Sequence, residues 1–444
     1  MSDRDGQLKK EIIGKLMSAA GKLPTSTAGR MGRTALAGLR AGRLVMKLRK
    51  AAGDPEGPRL DAETAARIVA GIGQLKGIGM KVGQIMSYID VDLPPELMEA
   101  LSVLQTHAQP MAASEVRSIL AFELGDRGRE IARTLEETPI AAASIGQVHA
   151  ALLPDGSRVA VKVQYPGIEK AIEADFGPTA IGSAMGNLLV PDARVDGFIR
   201  EARARFLEEC DYVREARMGK RFAEIFAGHP VITVPPVHEE YCSRRVLTTT
   251  FVDGKSYERF MAEGPPQGLR DSLGAAMFDF YVGTLFRHCL YNGDPHPGNY
   301  LFLEGGRIAM LDHGCTREFE RAFVAKLGRL TEAVQRDDGR LLHGSFVELG
   351  MVREGKDYDY ETARALMRRF YGPMIEDRVT AIDLGAGANM RDMVLRKREM
   401  MKLSLPGEFL FLFRIRLGLM AVLSRMGARA NWFRSEREAM AGQR

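Results

Sequence analysis

Asn292–Asn299 reads NGDPHPGN, and Asp312 follows thirteen residues later inside IAMLDHG, Ile308–Gly314. The order is an Asp, an Asn five residues on, and a second Asp closing an apolar run. These are hard oxygen donors at a spacing that holds Mg²⁺ on a nucleotide and orients a phosphoryl acceptor. Asp294 is therefore the candidate catalytic carboxylate, and Asn299 and Asp312 are the candidate metal ligands. Pro295, Pro297 and Gly298 keep the first segment in a loop. Tyr300–Leu303 and Ile308–Leu311 read as strands joined by a turn at Glu304–Gly306, with Asp312 at the exit. Turns often carry Asp and Asn, so DPHPGN alone is weak; Asp312 and an upstream VAVK give it weight. His296 and His313 match no zinc spacing and read as supporting groups beside the carboxylates.

Upstream, Val148–Leu153 and Arg158–Val163 are apolar runs joined by Pro154, Asp155 and Gly156, a strand–turn–strand signal. VAVK, Val159–Lys162, lies in the second strand. Alternation puts Val159 and Val161 on one face and Ala160 and Lys162 on the other. Lys162 can thus leave the core side and meet phosphates, or simply snorkel. Before this hairpin a Gly-rich loop is expected, yet the chain reads PIAAASIGQVHAA, Pro139–Ala151. Ala141, Ala142, Ala143 and Ser144 with the single Gly146 make a stiffer loop, whose N–H groups can still approach phosphate. Between hairpin and catalytic loop, one long helix is expected at about Arg194–Phe226. It carries EECDYVRE, with Glu208, Glu209, Asp211 and Glu215. One of these carboxylates would pair with the strand lysine; Asp211 and Glu215 share a helical face, whereas Glu209 and Glu215 do not. Another strand is expected at Arg244–Val252, and mostly helix from Gly268 onward.

The N-terminal part reads differently. Residues 1–50 hold twelve Lys/Arg against three Asp/Glu, whereas the whole chain of 444 residues carries only +5. Such a leader meets anionic lipid, nucleic acid or water. Helices are expected from Asp61, from Pro94 and at about Glu115–Glu123, the last capped by Ser114. Gly71, Gly73 and Gly77 lie in a helical context with no preceding strand, so they do not make a dinucleotide turn. The cysteines Cys210, Cys242, Cys289 and Cys315 form no CxxC pair and read as reduced thiols. The start is too polar for a signal peptide. Phe409–Leu423 is interrupted by Arg414 and Arg416 and reads as a buried or amphipathic helix, not a membrane span.

Four elements together carry a resemblance: KVGQ at Lys81–Gln84, AAASIGQVH at Ala141–His149, ECD at Glu209–Asp211, and the DPHPGN…LDHG set. On these the chain resembles the UbiB (AarF-domain, ABC1-type) atypical kinases. The resemblance implies an α+β, two-lobed protein-kinase-like fold with an N-terminal helical extension and a mostly helical C-terminal lobe. It divides the chain into a basic leader (1–60), a KxGQ extension (61–125), an N-lobe (126–252) and a C-lobe (253–444). It implies that Lys81, Gly83 and Gln84 belong to a helix lying over the active site, and that Ala141–Gly146 and Lys162 hold ATP or ADP. It further implies that Glu215 takes the usual helix position opposite the lysine, while Glu209 and Asp211 form the family's own acidic motif. Asp294 would act in catalysis, with Asn299 and Asp312 on Mg²⁺. The implied activity is ATP hydrolysis or small-molecule phosphorylation linked to isoprenoid or quinone lipids. The reduced cysteines read as cytoplasmic, and the basic leader as peripheral contact with anionic membrane or a solvated tail, with no nucleic-acid partner expected. The competing readings are a nucleotide-sensing scaffold and an ordinary protein kinase. Against the latter stand the Ala-rich loop, the KVGQ motif and the lack of an APE-like segment soon after Asp312.

Overall fold

The computed structural model describes residues 110–143, 145–170, 207–352, 358–383 and 407–442. The basic leader, the helices expected before residue 110, Lys81, Gly83, Gln84 and Ser144 lie outside these residues, as does the first part of the long helix. The described chain falls into two compact units. One runs to Val213 and includes Glu239–Thr248; the other holds Arg214–His238 and everything from Thr249.

In the first unit, helices α1 (Ala113–Leu124) and α2 (Asp126–Thr134) precede strands β1 (Ala141–Ala142), β2 (Gly146–Leu152) and β3 (Arg158–Gln164). Helix α1 starts slightly earlier than the sequence suggests. Its N-cap is Ala112, without a side-chain cap, so Ser114 sits inside the first turn and does not cap it. The chain turns at Gly125, whose φ of 61° suits glycine, and α2 follows at once. These helices cover one face of the sheet. Val116, Leu120, Ile131 and Leu135 pack with Val159, Val161 and Val163 in one core. Lys162 lies on the opposite face of β3, paired across the ladder with Val148. Helices α1 and α2, which flank the expected boundary at 125–126, share this core.

The Ala-rich segment is corrected from a loop to a hairpin. Ala141 pairs with Val148 and Ala142 with Gln147, and the Ala143 N–H donates to the Gly146 carbonyl at 2.9 Å. The three alanines suit extended backbone, which needs no positive φ. The lone glycine has a steric reason: a Cβ at Gly146 would stand 2.2 Å from the Val163 carbonyl oxygen of the neighbouring strand.

The long helix is also corrected. Residues 207–209 are helical, the chain breaks at Cys210–Asp211, and α3 (Tyr212–Ile225) starts afresh. The Tyr212 N–H leaves the helical pattern for the Arg244 carbonyl at 3.2 Å, and Asp211 Oδ1 accepts the Val213 N–H at 3.1 Å. Apolar periodicity does not register the break, and Val213, one of the apolar residues at helical spacing, is exposed.

Strand β4 (Ile232–Thr233) belongs to the second unit, whereas β5 (Val246–Thr250) begins in the first and joins β3 in the four-stranded sheet of order β1-β2-β3-β5. Helices α4 (Tyr257–Ala262), α5 (Gln267–Phe278) and α6 (Thr284–His288) lead to β6 (Leu290–Tyr291), with a π-helical turn at Asp279–Gly283. Strands β7 (Tyr300–Leu303) and β8 (Arg307–Met310) form the expected antiparallel hairpin, and β4 pairs parallel with β8. Strand β9 (Arg317–Glu318) returns along β6. Helices α7 (Arg321–Arg336), α8 (Gly339–Glu348) and α9 (Tyr360–Tyr371) follow, then the small β10 (Thr380–Ala381). The apolar C-terminal stretch is α10 (Gly407–Met426), followed by β11 (Arg429–Ala430) and α11 (Trp432–Ala441). As expected, α10 is buried: Phe409, Leu412, Ile415, Leu419 and Leu423 join the main core. Its Arg416 is also buried. The guanidinium donates from both Nη atoms to Glu436 at 2.7 and 2.8 Å and lies 4.5 Å from the Tyr371 ring centre. Among the described residues, no helix is long and apolar enough to cross a membrane.

Candidate active site

The second unit assembles the carboxylates. Asp294 leaves β6 in a short loop closed by a 3-10 turn at Pro297–Asn299, where Pro297 starts the turn and His296 Nδ1 accepts the Gly298 N–H at 3.0 Å. This gives His296 a supporting role in the loop. Asn299 Nδ2 donates to Asp294 Oδ2 at 2.9 Å and to the Asp294 carbonyl at 3.1 Å. One side-chain amide therefore fixes the catalytic candidate, with its oxygen as the remaining acceptor end. Beneath the loop, the Tyr281 hydroxyl donates to the same Asp294 carbonyl at 3.2 Å and sits 2.9 Å from the Tyr300 hydroxyl. Burial pushes both phenols well above their ordinary pKa, so they remain neutral donors.

Asp312 leaves β8 as expected. Its Oδ1 accepts the Gly314 N–H at 2.9 Å. A Cβ placed on Gly314 would lie 3.2 Å from Glu215 Oε2 and 3.4 Å from Asp312 Oδ1. Glu215 is buried at 3% exposure. Two carboxylates from distant parts of the sequence thus border one small space that a methyl group would invade. Like charges sharing a site favour a cation there. The set Asp294, Asn299 and Asp312 offers oxygen ligands, which suit Mg²⁺. The residues present therefore fit a hard divalent ion on a nucleotide. Among the described residues, no cluster of three or more His, Cys, Asp and Glu side chains forms a metal cage.

The first unit holds the other predicted groups. Lys162 Nζ stands 5.0 Å from the ring centre of Tyr212, a cation–π arrangement. Ala141, Ala142 and Gly146 shape the hairpin described above. Asp211 has a local task, accepting the Val213 N–H at the start of α3. Glu209 ends the preceding helical turn, half-buried.

Two residues that sequence reasoning missed tie the carboxylates together. Asn292, 2% exposed, donates from Nδ2 to the Asp312 carbonyl at 2.7 Å and accepts the Asp294 N–H at 3.0 Å. It bridges the Asp294 loop and the segment carrying Asp312. Its place at the head of NGDPHPGN was a signal, but its partner lies twenty residues away. Arg214 donates to the carbonyls of Gly314 at 3.1 Å and Thr316 at 2.6 Å, which fixes α3 against the LDHG segment. No local pattern points to that pairing. His313 stacks on Phe222 of α3 with ring centres 4.9 Å apart, so it packs α3 onto this segment.

Residues 103–344 match the model of the ABC1 atypical kinase-like domain, more than half of the chain. The chain is 34% identical over 278 residues to "Atypical kinase coq-8, mitochondrial" of Caenorhabditis elegans, covering 61% of this chain and 37% of that protein. It is 32% identical over 298 residues to "Atypical kinase COQ8, mitochondrial" of Saccharomyces cerevisiae, covering 64% and 57%. The chain thus spans about a third to somewhat over half the length of these relatives. Among solved structures, a Mycobacterium tuberculosis protein in complex with erythromycin is similar with a TM-score of 0.61 and 28% identity, covering 86% of this chain and 96% of that one. The α+β architecture and the motif order agree with these likenesses: the chain belongs to the ABC1 atypical kinase-like family, the group that also carries the UbiB and AarF names.

Proposed function

We propose that the chain is an atypical, ATP- and Mg²⁺-dependent phosphotransferase or ATPase of the UbiB type. The observation that carries this reading is the meeting of Glu215 and Asp312 at Gly314, beside an Asp294 held by Asn299. Asp312 and the Asn299 amide oxygen would hold the metal. When bound, Mg²⁺ neutralises charge on the phosphates. Lys162 binds the phosphates as an ammonium, the Ala141–Gly146 hairpin offers backbone N–H groups to them, and Glu215 sets the lysine. Asp294 accepts the proton of the acceptor hydroxyl or water as the γ-phosphoryl group leaves ADP for that oxygen. Lys81, Gly83, Gln84, Ser144, Glu209 and Asp211 act as family motif residues around this chemistry.

The acceptor class proposed is an isoprenoid or quinone-precursor lipid, with residues 1–50 resting on an anionic membrane through their excess positive charge. The test is ATP turnover by the whole chain, with and without anionic liposomes and phenolic quinone precursors. Stimulation by both is expected, and Asp312→Asn should lower turnover by roughly a hundredfold or more, as loss of a metal ligand does. Turnover indifferent to Asp312→Asn would sink the metal assignment. Indifference to lipid would detach the chain from the membrane.

A further inference from the structure

The SIGQVH stretch does more than end the Ala-rich hairpin. Gln147 and His149 are 1% and 0% exposed, although polar. The Met111 N–H donates to Gln147 Oε1 at 2.7 Å, and Gln147 Nε2 donates to the Met111 carbonyl at 3.2 Å. The side-chain amide therefore grips one backbone residue as a neighbouring strand would. Because Met111 N–H requires an acceptor, the orientation of the Gln147 amide is set. Its second amide hydrogen then points at His149 Nε2, 2.7 Å away. That nitrogen must accept, so the ring proton sits on Nδ1 and is donated to the Glu136 carbonyl at 2.8 Å. Every hydrogen-bonding atom of both side chains is used, over a path from the entry of α1 to the chain just before β1.

We propose that Gln147 and His149 are positioning residues that couple the chain entering at Met111 to the Ala141–Gly146 hairpin. Gln147 belongs to both: its backbone faces Ala142 across the hairpin, and its side chain holds Met111. A nucleotide that rigidifies the hairpin also tightens the hold on Met111, and by reciprocity any displacement of Met111 weakens the nucleotide. The inference rests on reading the hairpin as nucleotide-binding.

The experiment uses the whole chain, a fluorescent non-hydrolysable ATP analogue with Mg²⁺, and hydrogen–deuterium exchange followed on a peptide containing Met111. In the unaltered chain the analogue should slow exchange at Met111. Gln147→Met keeps the volume and removes all three bonds. It should speed Met111 exchange roughly tenfold, abolish its response to the analogue, and weaken analogue binding several-fold. Gln147→Glu keeps an acceptor for the Met111 N–H but no donor for the Met111 carbonyl, and should retain part of that protection. A role in stability alone predicts that both variants keep the nucleotide response, and that result would overturn the coupling while leaving nucleotide binding intact. Analogue binding without any change at Met111 in the unaltered chain would do the same. No analogue binding at all would remove the nucleotide reading itself, and the coupling with it.

Discussion

At the scale of single residues, Gly314 is the glycine that borders two of the candidate carboxylates. A methyl group there would press on Glu215 Oε2, which would have to yield by a few tenths of an ångström, while touching Asp312 Oδ1 at ordinary contact distance. Gly314→Ala should therefore lower turnover by roughly tenfold to a hundredfold through misplacement of the Glu215 carboxylate. Thermal stability should fall by no more than about 1–3 kcal/mol, the usual range for overpacking. Steady-state kinetics beside a melting curve separates the two effects; equal loss of both would argue that the glycine serves only folding. His229 makes a second prediction. Its Nδ1 accepts the N–H groups of Val231 and Ile232 at 3.2 and 2.8 Å, where β4 begins, and β4 pairs with the strand that delivers Asp312. Burial, opposed by Asp279 and reinforced by Arg287, holds the imidazole below its ordinary pKa of 6.5. The folded chain then binds fewer protons than the unfolded one. The stabilisation is complete above the unfolded pKa of about 6.5 and is lost as pH falls from there through the lower folded value. Melting temperature measured from pH 7.5 to 5 should fall in the native chain, and His229→Gln should flatten that slope.

Among secondary-structure elements, the restart of α3 decides where Glu215 stands. Asp211 supplies the acceptor for the Val213 N–H, so Asp211→Ala should cost about 1 kcal/mol in stability, the usual value for a lost cap. Asp211→Asn keeps a side-chain oxygen at the cap and should restore most of it. If turnover also returned with Asn, Asp211 would act through α3; if it did not, the negative charge itself would take part in the chemistry. Much at this scale was legible in the sequence. The β7–β8 hairpin, the β2–β3 hairpin and the burial alternation around Lys162 follow from turn chemistry and a period of two. The break at Cys210–Asp211 was not legible, because the Tyr212 N–H leaves its helix for a carbonyl more than thirty residues away. The Ala-rich segment was misread for a related reason. A loop and a tight hairpin share the same composition, and only the pairing of Ala141 with Val148 separates them. In the site, the carboxylates announced themselves by type and order, whereas Asn292 and Arg214 act through backbone carbonyls that no motif encodes.

For the molecule as a whole, the proposed chemistry makes a thermodynamic prediction. A ligand that binds only the folded chain stabilises it by about 2.7 kcal/mol when present at a hundred times its dissociation constant. Mg²⁺ with ATP should therefore raise the melting temperature measurably, and ATP with a chelator should do so less. Asp312→Asn should remove most of the difference between the two. A shift independent of Mg²⁺ would place the nucleotide away from Asp312. The two units each have their own hydrophobic core, so following unfolding with probes in each would show which one the nucleotide protects.

The buried pair of Arg416 and Glu436 sets a rule for shortening this protein. Glu436 lies on the last described helix, yet both of its oxygens accept from a guanidinium enclosed by Phe370 and Tyr371. Cutting the chain before α11 would leave that cation inside the protein with neither counter-charge nor water, a penalty of several kcal/mol. Trimming for expression or crystallisation should therefore stop beyond Ala441. Where α11 must go, Arg416 has to be replaced by an apolar residue in the same step.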